Sequence, residues 1–181
     1  MKKIIFLCMM ATAVLCSCSS DDDEDMTQNR PEGDKETMYP VKVQDMTDAE
    51  FASFFVGKVW IENAVYDVSS DGTVSDNVIK ELAGWSGLLM KVKDGVSAEL
   101  MFLPSSMPPR EENILRKTTT YAYDAKSHKL AFAEEAFDKL QKEYVVVSIN
   151  DNELRLLGKP LKMNRAKDVA YGIYVYMAEQ E

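Results

Sequence analysis

The side chains that could do chemistry are few. His128 is the single histidine and stands in Lys126-Ser127-His128-Lys129. A general base needs a second group to orient it and a surrounding that shifts its pKa, and a lysine-flanked turn offers neither. No Gly-x-Ser-x-Gly elbow accompanies it. Glu111-Glu112 and Glu134-Glu135 place carboxylates next to each other, but adjacent side chains point in different directions on a helix or strand, so neither pair makes an acid–base couple. Ser69-Ser70-Asp71-Gly72 with Asp76 and Asn77 has the residue types of a calcium loop without its spacing, and is better taken as a turn. There is no phosphate-binding loop, dinucleotide fingerprint or zinc spacing. The residues therefore supply no catalytic set, no metal site and no cofactor site, and point away from an enzyme.

The cysteines Cys8, Cys16 and Cys18 all lie near the N-terminus, where a different chemistry is indicated. Lys2 and Lys3 precede Ile4 to Leu15, a run without charge. It is shorter than the about 20 residues needed to span a bilayer and suits the apolar core of a secretory signal. Leu15-Cys16-Ser17-Cys18 resembles a bacterial lipobox, which implies cleavage after residue 17 and lipidation of Cys18. An ordinary secretory signal that happens to hold cysteines is the alternative. Beyond Cys18 come Asp21-Asp22-Asp23-Glu24-Asp25, a run that repels itself and stays solvated. Its place behind the lipobox resembles the surface-export signal of lipoproteins from Bacteroides-like Gram-negative bacteria. That resemblance implies an outer-membrane protein, lipid-anchored and facing the cell exterior.

The whole chain has 181 residues, a formal net charge of −9, 46% apolar and 28% charged residues. This is globular composition for one domain, and the acidic balance argues against nucleic acid as a partner. Residues 1–17 are expected to be the signal peptide, 18–44 the lipidated cysteine with an acidic disordered tether, and 45–181 the folded domain.

Within 45–181 the patterning is mainly β. Thr47-Asp48-Ala49-Glu50 fits a capping box, and Phe51, Phe54 and Phe55 follow at helical spacing up to Gly57, so a short helix over 47–56 opens the domain as an apolar plug. A strand over 59–68 ends at the Ser69 turn, and Val78, Ile79 and Leu82 could face inward from one helical turn. Residues 85–103 form a hairpin. A Lys93-Asp94-Gly95 loop with left-handed Gly95 would pair Val92 with Val96, Met90 with Ala98 and Leu88 with Leu100. Strands over 115–124 and 129–133 follow, then a short helix over 134–143 with Ala136, Phe137 and Leu140 on one side. Hairpin strands 144–149 and 153–158 would pair Ile149 with Leu154 and Val147 with Leu156. The last strand, 168–177, alternates Val169, Tyr171, Ile173, Val175 and Met177 against Ala170, Gly172, Tyr174 and Tyr176.

Consecutive antiparallel strands need protected edges, and closure into a barrel removes the edges altogether. Gly57-Lys58-Val59-Trp60, after a short helix, resembles the glycine–tryptophan signature that opens lipocalin-like domains. Tyr121-Ala122-Tyr123-Asp124 with Lys129-Leu130, and Tyr144 through Asn152-Glu153-Leu154, look like later hairpins of lipocalin-like bacterial lipoproteins. The resemblance implies an up-and-down antiparallel barrel with a short N-terminal helix; a β-sandwich is the structural alternative. In such a barrel Trp60, Trp85, Met90, Tyr121, Tyr123 and Tyr174 are the candidates to line a site for a small apolar or amphipathic ligand, or else they fill the interior. The other expectation is an accessory or structural subunit that docks an outer-membrane protein assembly.

Overall fold

A computed structural model of the chain describes residues 39–180 apart from 82–86, 105–106, 109 and 162–167. The signal segment, Cys18, the acidic run, Leu82 and Trp85 lie outside the described residues.

Thr47 caps helix α1 (Asp48–Phe55) through the anticipated box: Glu50 N–H donates to Thr47 Oγ1 at 3.2 Å and Thr47 N–H donates to Glu50 Oε2 at 2.8 Å. Phe51 and Phe55 are buried, and Gly57 follows at φ +79°, where a side chain would be strained. Nine strands come next: β1 (Val59–Ser69), β2 (Val74–Asn77), β3 (Leu88–Val92), β4 (Ser97–Phe102), β5 (Leu115–Asp124), β6 (Lys129–Phe132), β7 (Glu143–Ile149), β8 (Glu153–Gly158) and β9 (Val169–Ala178). Two short 3-10 turns, Val78–Glu81 and Glu111–Asn113, complete the described elements.

All pairings are antiparallel, and β9 returns to pair with β1 from Val169 to Ala178. Eight strands, β1 and β3 to β9, thereby close into a barrel, which rules out the sandwich. β1 is shared on its other edge: its first residues, Val59 to Ile61, pair with β3, and its end, at Tyr66 and Val68, pairs with the short flap strand β2. That flap was not anticipated, because Val74-Ser75-Asp76-Asn77 is polar and mostly exposed.

Three local expectations are corrected. In the β3–β4 hairpin, Leu88 pairs with Phe102, Met90 with Leu100 and Val92 with Ala98. The loop has slid by one position, leaving Val96 61% exposed and Gly95 outside the left-handed region. Asp94 is the reason. Its Oδ1 accepts from the N–H groups of Val96 (2.9 Å) and Ser97 (2.6 Å), and its carbonyl accepts from the Tyr121 hydroxyl (2.6 Å).

In β7–β8, Ile149 pairs with Leu154 as expected, but Val146 rather than Val147 stands opposite Leu156, with a bulge before Ser148. Gln44 holds the bulge: its N–H donates to Val147 O at 2.8 Å and its Oε1 accepts from Ile149 N–H at 3.2 Å.

Residues 134–143 do not form a helix. Ala136 and Leu140 exchange backbone hydrogen bonds of 3.2 and 2.9 Å around a mirror-image turn, with Phe137 at φ 57° and Asp138 at φ 55°. So short a segment gains little from helical hydrogen bonds. The turn still buries Ala136 and Leu140.

Two apolar layers result. The main one fills the barrel and includes Trp60, Met90, Leu100, Leu130, Tyr144, Leu156, Tyr174 and Tyr176 together with Phe51 and Phe55. A second lies on the outer face, where Ala64, Val68, Val145, Leu157, Ile173 and Val175 are covered by Tyr39, Val41 and Val43. The packed chain therefore reaches back to Tyr39, into the segment that composition alone assigns to the tether.

Gly72, at φ +88°, meets this strap, since a Cβ there would fall 2.9 Å from Pro40 O. Gly57→Ala is expected to cost about 1–2 kcal/mol for the left-handed backbone alone. Gly72→Ala should cost more, because the added methyl also pushes against Pro40. Thermal unfolding of the two variants checks the order.

Candidate ligand site in the barrel

Residues alternate across each strand, so one parity of every strand points inward. On β1 that parity carries Trp60, Glu62 and, after a bulge, Val65; on β9 it carries Tyr174 and Tyr176, which stand opposite Val65 and Glu62. Five of the six sequence-derived candidates, Trp60, Met90, Tyr121, Tyr123 and Tyr174, pack in this inner layer. Trp85 lies outside the described residues. The five do not form one constellation, because they are spread along the barrel.

Trp60, Tyr121 and Tyr123 belong to the end closed by α1. The Phe51 ring stacks on Tyr123 at 4.0 Å and on Phe55 at 4.8 Å, and Phe55 meets Tyr121 edge-on at 5.1 Å. Trp60 Nε1 donates to Phe55 O at 3.2 Å, which fixes helix to strand. Met90 sits deeper, with Leu100 opposite. Tyr174 lies at the other end with Tyr144, their rings 5.6 Å apart and perpendicular. Tyr171, by contrast, faces the outer layer.

The end opposite α1 holds polar groups that sequence reasoning missed. Glu62 is 6% exposed, and its Oε2 accepts the Leu88 N–H at 3.2 Å. Two-residue alternation from Trp60 was the signal that places it inside. Gln141, from the β6–β7 loop, seals this end: its Nε2 donates to Lys159 O and to the Tyr174 hydroxyl, both at 2.8 Å, and its Oε1 accepts Lys159 N–H at 2.8 Å. The Tyr174 hydroxyl also donates to Lys159 O at 2.7 Å, and the Tyr144 hydroxyl accepts Gln141 N–H at 2.9 Å. Among the described residues the buried Tyr176 hydroxyl has no hydrogen-bond partner.

His128 is partly buried in the β5–β6 turn at φ 53°, with Nε2 3.5 Å from Asp45 Oδ1. Next to it Asp48 Oδ1 accepts Ala125 N–H at 3.0 Å. These contacts bind the start of α1 to the turn. Among the described residues no group of three or more His, Cys, Asp or Glu side chains is arranged to hold a metal ion.

Burial dominates the titration of the inner tyrosines. It raises Tyr121 from 10 to about 12 with help from Asp94, and Tyr123 likewise to about 12 with help from Asp48, Asp124 and Asp45. Tyr144 and Tyr176 are pushed well above the ordinary value, again chiefly by burial. On folding, each group keeps a proton that the unfolded chain releases near pH 10. Their contribution to stability is complete below pH 10 and is lost as pH rises toward about 12 and beyond. Fluorescence-monitored unfolding across alkaline pH should show that decline, coincident with tyrosinate absorbance.

Two hydroxyl deletions separate the partnered tyrosine from the orphan. Tyr174→Phe is expected to destabilise by about 1–2 kcal/mol, while Tyr176→Phe should be neutral or slightly stabilising because it removes an unsatisfied buried group. Urea titrations of both variants check the contrast.

The chain matches no protein-family model, and no curated protein matches it in sequence.

Proposed function

We propose that this is a lipid-anchored surface protein whose barrel is a packed module that works through its exterior. Cys18 is the lipid attachment site, and the acidic run behind it directs the protein to the outer face of the outer membrane. The partner is an outer-membrane protein assembly, for which the barrel is an accessory or structural subunit.

One observation favours the exterior over a ligand in the barrel. Trp60, Met90, Leu100, Leu130, Leu156, Tyr174 and Tyr176 each have 0% exposed surface, so a water molecule reaches none of them from outside or from within. A pocket for a drug-sized molecule needs roughly 300 Å³ or more of open volume. The strap supports the same role, because Tyr39, Val41 and Val43 follow the acidic segment in sequence and grip the outer face of the barrel.

Native mass spectrometry of the protein extracted gently from its bacterium tests the reading. The expected mass is that of the lipidated polypeptide alone, and a reproducible further adduct that disappears on denaturation would overturn the exterior role. The address has a separate test. Protease added to intact cells should digest the domain, and Cys18→Ser should move the protein out of the membrane fraction.

A further inference from the structure

One row of side chains on the outer wall is apolar although it lies outside both apolar layers. On β1, β3, β4 and β9 the outward positions include Ile61, Leu89, Met101 and Met177, since their sequence neighbours Trp60, Met90, Leu100 and Tyr176 are buried on the inner face. Register sets the four side by side: Met177 opposite Ile61, Ile61 opposite Leu89, and Leu89 opposite Met101. Neighbours in the row are thus about 4.8 Å apart, the spacing of paired strands. Met177 is exposed and the other three are half-buried, and among the described residues none of the four packs into either layer. The next outward positions on β3 to β5 are Lys91, Glu99 and Thr118.

The row runs into charge at both ends. On β8 Glu153 stands opposite Met177, and on β5 Arg116 stands opposite Met101. The order around the wall is therefore acid, Met, Ile, Leu, Met, base. Each charge is steadied within its own chain: Arg155 Nε donates to Glu153 Oε1 at 2.7 Å, and Arg116 pairs with Glu111 and, at 3.5 Å, with Glu99. Arg116 Nη1 also donates to Met101 Sδ at 2.9 Å, which lays the guanidinium over the end of the row. Both ends stay open to solvent, the side chains being 42% exposed at Arg116 and 28% at Glu153.

A two-fold axis parallel to the strands, passing between Ile61 and Leu89, lays this order against its own reverse. Met177 of one copy then meets Met101 of the other, Ile61 meets Leu89, and Glu153 meets Arg116. We propose that the row is a self-complementary interface whose occupant is a second copy of this chain. Each apolar residue meets an apolar one and each charge its opposite, and the symmetry makes every such contact twice. Arg155 and Glu111, beside Glu153 and Arg116, carry the reversed signs and extend the match at each end. The wall is convex, so the central apolar pairs touch while the long charged side chains reach round to form a polar rim. Four apolar residues a side make a small interface and hence a reversible dimer. Anchoring on one membrane, as proposed above, raises the concentration at which copies meet. The dimer itself does not rest on the outer-membrane partner: a monomer would leave that role standing. It also adds a whole second chain and no adduct to either one.

Sedimentation equilibrium of the full-length chain in density-matched detergent, over a range of concentrations, tests the interface. The parent is expected to pass from monomer to dimer. Arg116→Glu and Glu153→Arg each set like charges against each other twice, and each should weaken the dimer about tenfold. Neither side chain is buried, so both variants keep the fold. An equimolar mixture of the two variants is decisive, because in a mixed dimer both ends again pair an acid with a base. The mixture should associate nearly as tightly as the parent. A parent that stays monomeric overturns the proposal, as do single variants that dimerise like the parent or a mixture no tighter than its components.

Discussion

Closure of the sheet through β1 and β9 is the constraint on which the rest of the structure depends. It satisfies the backbone groups of two strands that would otherwise be edges. An eight-strand barrel encloses little more than the volume of its own inward side chains, so closure dictates what those positions carry. The filling is uneven by necessity. Gly158 and Gly172 face each other across β8 and β9, and the space they leave is taken by the rings of Tyr144 and Tyr174; a Cβ on Gly158 would fall 2.8 Å from Tyr144 Cδ1. Small residues on two strands thus make room for large ones nearby, which is how a narrow barrel reaches interior packing density.

The two ends are closed by different physics. At the α1 end the plug is apolar: Phe51 and Phe55 against Tyr121, Tyr123 and Trp60, with one indole hydrogen bond fixing the approach of the helix. Burial of each large side chain there is worth about 1.5–3 kcal/mol, and the helix cannot lift without exposing several together. At the opposite end the cover is held by Gln141 bridging Lys159 and Tyr174, by a ring stack at the rim and by a strained turn. Hydrogen bonds near solvent contribute about 1 kcal/mol each. The second end is therefore the one that opens at lower free energy, in the sense in which native proteins open locally well below the cost of global unfolding.

Alternation of side chains was legible wherever it decided burial, and register was not. The hairpin of Leu88 to Phe102 keeps its apolar face although the loop slides, because each partner on β4 shifts by two residues and an even slip preserves parity. What sets the register is Asp94 held by Tyr121, and in β7–β8 it is Gln44 at the bulge. Those partners are far away in sequence, and no local pattern announces them. Ala136, Phe137 and Leu140 fit a helical face as well as a turn, and only tertiary contacts choose a left-handed phenylalanine. Trp60, Tyr121, Tyr123 and Tyr174 lie in the inner layer, yet sequence could not say which strand aromatics face inward or whether they fill the barrel or line a cavity. Glu62 was readable by the same parity from Trp60, but a charged residue attracts no notice when the search is for apolar liners.

The strap follows from a feature of the strands it covers. Tyr144-Val145-Val146-Val147 on β7 and Ile173-Tyr174-Val175-Tyr176 on β9 are apolar on both faces, whereas β4 and β5 alternate apolar with charged or threonine positions. A strand with two apolar faces requires a second layer, and no helix in the described residues packs on that side of the barrel. Tyr39, Val41 and Val43, ahead of the domain boundary that composition suggests, supply the cover. No cysteine occurs in the sequence after Cys18, so disulfides do not hold this barrel together. Its stability rests on burial, and the outer layer adds to it on the same strands, β1 and β9, whose pairing closes the sheet. Loosening the strap would therefore weaken the barrel at its seam.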